Sequence, residues 1–181
     1  MKIGIAGAGG IGSNVADNLV RSGVEELLLV DFDRVEAANL NRQNYFLDQV
    51  GDFKVIALRD NLKKINNRIN IEIINKKLNA ENIGQTFRDC EVVVEAFDSK
   101  KYKKLILEKM AGSGKLCVSG SGVAGTDIDS IRTRKIDNCY IVGDFITDAD
   151  NEKVYAPKLR LVTSIMSNLI LEKSGFYEKN L

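Results

Sequence analysis

A chain of 181 residues, 44% hydrophobic and 28% charged, has the length of one domain and enough apolar material for a core without covalent staples. A formal net charge of +1 gives no ground for nucleic acid or anionic membrane as a partner chosen by bulk charge, and the absence of histidine excludes any mechanism built on an internal histidine base or metal ligand. The three cysteines, Cys90, Cys117 and Cys139, form no C-x-x-C pair, so neither a zinc site nor a disulfide framework is expected.

Residues 2–6 read as a short strand running into a glycine turn. Residues 11–22 have helical spacing, with Ile11, Val15, Leu19 and Val20 on one side. Residues 26–30 are a nearly continuous apolar run, the pattern of a strand buried on both faces. Residues 31–50 are polar, rich in asparagine and weakly periodic, and read as a long loop with short helical turns. Such loops in compact domains are usually functional or disordered. Residues 51–67 look helical, residues 69–75 alternate as a strand, and residues 79–87 suggest a short helix. A second continuous apolar strand follows at 90–96, a helix at 101–111 and a third buried strand at 115–119. The basic run Lys100-Lys101-Tyr102-Lys103-Lys104 reads as a solvated helix face.

Repeated strand–helix units imply a parallel sheet with right-handed crossovers. Residues 130–136 and 138–144 leave no room for a helix between them, so they suggest an antiparallel hairpin added at the sheet edge. Pro157, the only proline, opens a final helix to about residue 173. The expected fold is α/β and Rossmann-like: one domain over residues 1–181, with a mostly parallel sheet flanked by helices and extended by an antiparallel hairpin near the C-terminus. No apolar stretch approaches the roughly 20 residues that span a bilayer, and the N-terminus lacks the features of a signal peptide. A cytoplasmic location is the expectation.

Gly7-Ala8-Gly9-Gly10-Ile11-Gly12 follows a strand and opens a helix, which is the context G-x-G-x-x-G requires. Gly7 allows the tight turn, Gly9 lets phosphate approach the backbone, and Gly12 permits close helix–strand packing. The helix N-terminus offers N–H groups to phosphate. The motif does not separate NAD from ATP. Asp31, at the end of the second strand, is placed to accept hydrogen bonds from ribose hydroxyls. The stretch Asp31-Phe32-Asp33-Arg34-Val35-Glu36-Ala37-Ala38-Asn39-Leu40-Asn41-Arg42-Gln43 then supplies Asn39, Arg42 and Gln43 as donors around a triphosphate, arginine because its planar fork gives two bonds and stays charged. Gly112-Ser113-Gly114-Lys115 imitates part of a P-loop, but with helix before and strand after it reads as a turn.

The D-x-D-x-V-x-x-x-N-L-N-R-Q stretch after a G-x-G-G-x-G-S loop resembles the signature of the ThiF/MoeB/HesA adenylyltransferases, related to ubiquitin-activating enzymes. Val50-Gly51-Asp52-Phe53-Lys54-Val55 resembles their V-G-x-x-K-V segment, and residues 92–99 resemble the strand that ends in their magnesium-organising aspartate. The resemblance runs over nearly the whole chain and implies ATP and Mg²⁺ as cofactors. It implies Arg42, Lys54 and Asp98 as catalytic residues, with Asp98 organising Mg²⁺. Gly7, Gly9, Gly10, Gly12, Asp31, Asp33, Asn39 and Gln43 would bind the nucleotide. It further implies adenylation of the C-terminal Gly-Gly carboxylate of a small ubiquitin-like sulfur carrier protein, in thiamin thiazole synthesis, by a homodimer. Ser99 departs from the family's usual asparagine, and the relatives' paired C-x-x-C zinc site is absent. The residues alone leave two alternatives: an NAD-binding Rossmann module, and a regulatory protein that binds nucleotide without turnover.

Overall fold

A computed structural model describes residues 1–179. The apolar runs form strands buried on both faces: β1 (Ile3–Ala6), β2 (Glu26–Val30), β4 (Val92–Glu95) and β5 (Leu116–Gly120). The less apolar β3 (Asn70–Ile74) closes one edge of the sheet. At the other edge β6 (Arg132–Ile136) and β7 (Cys139–Gly143) form the antiparallel hairpin. The order is β3-β2-β1-β4-β5-β7-β6. Every neighbouring pair is parallel except β6 with β7. The second strand of the hairpin joins β5, so the first becomes the outer edge.

Alternation along each strand divides the core between the two faces. Ile3, Ile5, Leu27, Leu29, Val92 and Val94 face α1 (Gly10–Arg21), α2 (Lys54–Ile65) and α5 (Ala156–Lys173). Ala6, Leu28, Val30, Val93 and Cys117 face α3 (Ile83–Thr86) and α4 (Lys100–Met110), through Ile83, Phe87, Ile106 and Met110. Each fully buried large aliphatic side chain contributes roughly 1.5–3 kcal/mol from area removed from water. A last short helix, α6 (Phe176–Lys179), follows α5 and was not anticipated from the sequence.

Two helix expectations are corrected. The helix expected over residues 51–67 begins only at Lys54. Gly51 has φ +99°, its N–H bonds to the Val35 carbonyl, and Phe53 bridges to Arg34. A tertiary pairing thus claims the residues that would have formed the first turn. The helix expected over 79–87 shrinks to the four residues of α3, because Asn79 Oδ1 accepts the Glu81 and Asn82 N–H groups and Asn82 Oδ1 accepts the Asn79 N–H, which replaces a first helical turn with side-chain bonds. The polar stretch 31–50 is a loop with two 3₁₀ turns, Ala37–Asn39 and Leu47–Gln49. No helix among the described residues is long and apolar enough to cross a membrane.

Candidate active site

Ligands of open α/β sheets lie beyond the carboxyl ends of the strands, where the strand order reverses. Here β1 lies between β2 and β4, and a cavity of about 490 Å³ opens beyond their ends. It is lined by the glycine loop, Asp31, Asp33, Arg42, Gln43, Lys54 and Asp98, and it extends toward residues 145–149. Segments 91 positions apart in sequence, Gly7 and Asp98, and others still farther along the chain therefore share one space.

The glycine loop turns from β1 into α1. Gly7 has φ +102°, which an L side chain rarely adopts. Gly12 does not line the cavity; an added Cβ there would stand 1.8 Å from the Gly7 carbonyl oxygen. Its role in the structure is the close approach itself. The loop is held by two further groups. Asp31 Oδ2 accepts the Ala8 N–H at 2.6 Å, and the Tyr45 hydroxyl donates to the Ala8 carbonyl at 2.5 Å. Asp31 is almost fully buried and also accepts the Asp33 N–H through Oδ1. Burial raises its carboxyl above the ordinary value, against the pull of those two N–H donors and of the Lys54 charge.

The polar loop is sewn onto α1. Asn14 Nδ2 donates to the Gly10 and Arg42 carbonyls, and Ser13 accepts the Asn44 N–H. Asn39 does not line the cavity. Its Oδ1 caps the Glu36 N–H, and its carbonyl accepts the N–H groups of Arg42 and Gln43, so it shapes the turn that presents those two side chains. Arg42 anchors one guanidinium nitrogen on the Ala38 carbonyl and Asn41. Gln43 Oε1 is buried without a hydrogen-bond partner among the described residues. A lone buried acceptor costs free energy unless something donates to it, and this one borders the cavity. Lys54, the first residue of α2, is almost fully buried and reaches to 3.4 Å from Asp33 Oδ2.

Asp98 follows β4, is exposed at the cavity, and has no hydrogen-bond or ion-pair partner among the described residues. No group of three or more Cys, Asp or Glu side chains forms a cation cage among the described residues.

Two buried clusters were not anticipated. Glu95, the last residue of β4, has no exposed surface. Its carboxylate accepts from the Lys103 ammonium at 2.5 Å, the Ser119 hydroxyl at 2.6 Å and the Phe97 N–H at 2.8 Å. The reading of residues 100–104 as a solvated face is thus corrected for Lys103. Lys101 and Lys104 are exposed, but Lys103 turns inward, drawn by a carboxylate that cannot be buried alone. The other cluster is Asp144 with Lys158, paired at 2.6 Å with side chains 2% and 1% exposed. Lys158 also donates to the Ala124 carbonyl, and Asp144 accepts from the Ile146 and Thr147 N–H groups and the Thr147 hydroxyl. Burial alone would raise the Asp144 carboxyl, but these donors outweigh it and hold it at about 2. The pair ties the segment after β5 to the segment after β7, and both form the far wall of the cavity. The sequence signals for these clusters were the acidic residues Glu95 and Asp144 set in apolar runs, and their lysine partners carried none.

The chain is similar over most of its length to known proteins. It is 33% identical over 142 residues to the adenylyltransferase and sulfurtransferase UBA4 of Candida glabrata, covering 77% of this chain and 33% of that one. It is 47% identical over 64 residues to ubiquitin-like modifier-activating enzyme 5 of Caenorhabditis elegans, covering 35% of this chain and 15% of that one. The chain therefore spans a third or less of the length of these two relatives. Its fold matches E. coli tRNA N6-threonylcarbamoyladenosine dehydratase, TcdA, in complex with ATP, with a TM-score of 0.82 at 19% identity over 96% of this chain and 87% of that one. The ThiF family model matches residues 1–169, and with the cavity and its glycine loop in place the chain belongs to the ThiF family.

Proposed function

We propose that this domain uses ATP and Mg²⁺ to adenylate a carboxylate, the acceptor being the C-terminal Gly-Gly of a small ubiquitin-like sulfur carrier protein of the kind used in thiamin thiazole synthesis. The observation that carries the reading is the convergence of the glycine loop, Arg42, Lys54 and the unpartnered Asp98 carboxylate in one cavity.

The chemistry asks for charge placement more than for proton transfer. The acceptor carboxylate is already ionised at neutral pH and needs no base. The α1 N-terminus and the Gly9 and Gly10 N–H groups face the phosphates. Asp31, with a second lone pair on each oxygen, takes the ribose hydroxyls, while Phe32, Leu78 and Phe97 give the base an apolar wall. Gln43 Oε1 gains a donor from the nucleotide. Arg42 and Lys54 neutralise charge on the α-phosphate and on the departing pyrophosphate, and Asp33 beside Lys54 fixes where that ammonium points. Asp98 would hold the metal. A single free carboxylate suits Mg²⁺, which binds through one or two carboxylates, phosphates and water and supplies charge neutralisation to the phosphates. The acceptor enters past residues 145–149.

The test is exchange of labelled pyrophosphate into ATP, dependent on a carrier ending in Gly-Gly and on Mg²⁺. Exchange that disappears in Lys54→Ala and Asp98→Ala supports the reading. ATP binding without exchange in the presence of a genuine carrier overturns it in favour of a regulatory module, and protection by NAD in place of Mg-ATP overturns the choice of nucleotide. The name of TcdA supplies a second acceptor, a carboxylate carried on tRNA, and tRNA in place of the carrier separates the two. A cytoplasmic homodimer belongs to the same reading, and light scattering checks the stoichiometry.

A further inference from the structure

We propose that Glu95 is a positioning residue of this site: it fixes the loop that carries Asp98, and Lys103 holds its carboxylate in place for that task. The proposal rests on reading Asp98 as the magnesium-facing carboxylate.

Glu95 ends β4, and its two oxygens serve two different places. Oε1 accepts the Phe97 N–H at 2.8 Å, one residue before Asp98. Oε2 accepts from Ser119 on β5 at 2.6 Å and from Lys103 on α4 at 2.5 Å. Lys103 also donates to the Gly120 carbonyl at 2.8 Å and lies 3.4 Å from Ser119 Oγ. With its three protons directed at Glu95, Gly120 and Ser119, Lys103 has none left for a substrate, although it borders the cavity.

Packing does not call for a carboxylate here. Ala6 of the neighbouring β1 stands opposite Glu95, β2 beyond it ends in Val30, and β4 itself reads Val92-Val93-Val94 up to this point. Replacing a buried ion pair by hydrophobic residues is often neutral or stabilising, so stability alone does not account for it. What an apolar side chain lacks is an acceptor for the Phe97 N–H. Ala96 is still held to the sheet through Ala6, but the Asp98 and Ser99 N–H groups have no hydrogen bond among the described residues. The Phe97–Glu95 bond is thus the tether that decides where the Asp98 loop leaves the sheet. Groups behind a metal-facing residue typically change metal affinity by 10–100-fold when removed.

The test uses the charge-free pair Glu95→Leu/Lys103→Met, which keeps volume but leaves Phe97 without an acceptor. Amide hydrogen exchange should speed up by about tenfold or more at Phe97 and stay unchanged at Val93. The Mg²⁺ concentration giving half-maximal ATP binding should rise roughly 10–100-fold, while ATP binding in EDTA stays the same. Glu95→Gln, with one acceptor oxygen in place of two, should move both readouts the same way by a smaller factor, and it serves if the double variant fails to fold. Ser119→Ala should leave both near wild type. Retained protection at Phe97, or an unchanged Mg²⁺ requirement, overturns the proposal. If ATP binding by the wild-type protein ignores Mg²⁺, the metal reading of Asp98 falls separately, and exchange at Phe97 alone decides whether Glu95 holds the loop.

Discussion

Lys158→Met removes the ammonium from the buried pair with Asp144 and replaces the aliphatic stem with one of similar length. Breaking a buried pair by deleting one partner costs about 3–5 kcal/mol, because the remaining charge is left uncompensated. At about 2–4 °C per kcal/mol for a chain of this size, the melting temperature at pH 7 should fall by roughly 6–20 °C. The pH dependence separates charge from packing. Asp144 is held at about 2 against an ordinary 3.8. Its folded-state value is depressed, so its stabilisation is fully present above about 4 and disappears as pH falls from there toward 2. The difference corresponds to about 2 kcal/mol. Urea unfolding followed by circular dichroism, for both proteins at pH 7, 5, 4 and 3, should show their stability gap narrowing by up to that amount as Asp144 takes up a proton in each. A gap that stays constant down to pH 3 would refute the electrostatic reasoning and leave only lost packing of the lysine stem. Variants that stay folded should also lose affinity for the acceptor while keeping that for ATP, because the pair secures the wall formed by residues 121–123 and 145–147.

Gly12→Ala should destabilise by about 3 kcal/mol or more, since its Cβ meets the Gly7 carbonyl at 1.8 Å and backbone cannot step aside. Gly9→Ala meets only Gln43 Nε2, at 3.7 Å, so its melting temperature should barely move while its affinity for ATP falls. Gln43→Met removes the buried acceptor that lacks a donor. The ligand-free protein should melt at the same temperature or higher, by up to about 1–3 kcal/mol in stability, and the thermal shift caused by ATP should shrink. Equal ATP shifts in Gln43→Met and wild type would remove Gln43 from the binding surface.

The parallel sheet was legible because strands covered on both faces leave uninterrupted apolar runs, as in Leu27-Leu28-Leu29-Val30 and Val92-Val93-Val94. The hairpin was legible because Asp137 and Asn138 leave no room for a crossover. The glycine loop, Asp31 and Asp98 could be placed in one crevice since each stands just beyond a strand, positions that topology alone brings together, whereas Arg42 and Lys54 were assigned to it through the family resemblance. Boundaries set by distant partners were not legible: Gly51 is pulled out of helix by the Val35 carbonyl. Glu95 was hidden for a similar reason. Its partners lie 8 and 24 positions away, and nothing in the local pattern marks Lys103 as the lysine of its run that turns inward.

The burial of all three cysteines provides a built-in clock for local opening. Cys117 and Cys139 face each other in register across β5 and β7, and Cys90 sits just ahead of β4. With every sulfur shielded, a thiol-modifying reagent reacts only with molecules that have opened. Modification at Cys139 then reports how often the hairpin lifts from the sheet, and modification at Cys90 how often the centre of the sheet comes apart. If the far wall must yield to admit an acceptor, the first rate should exceed the second, and a bound nucleotide with its acceptor should slow it.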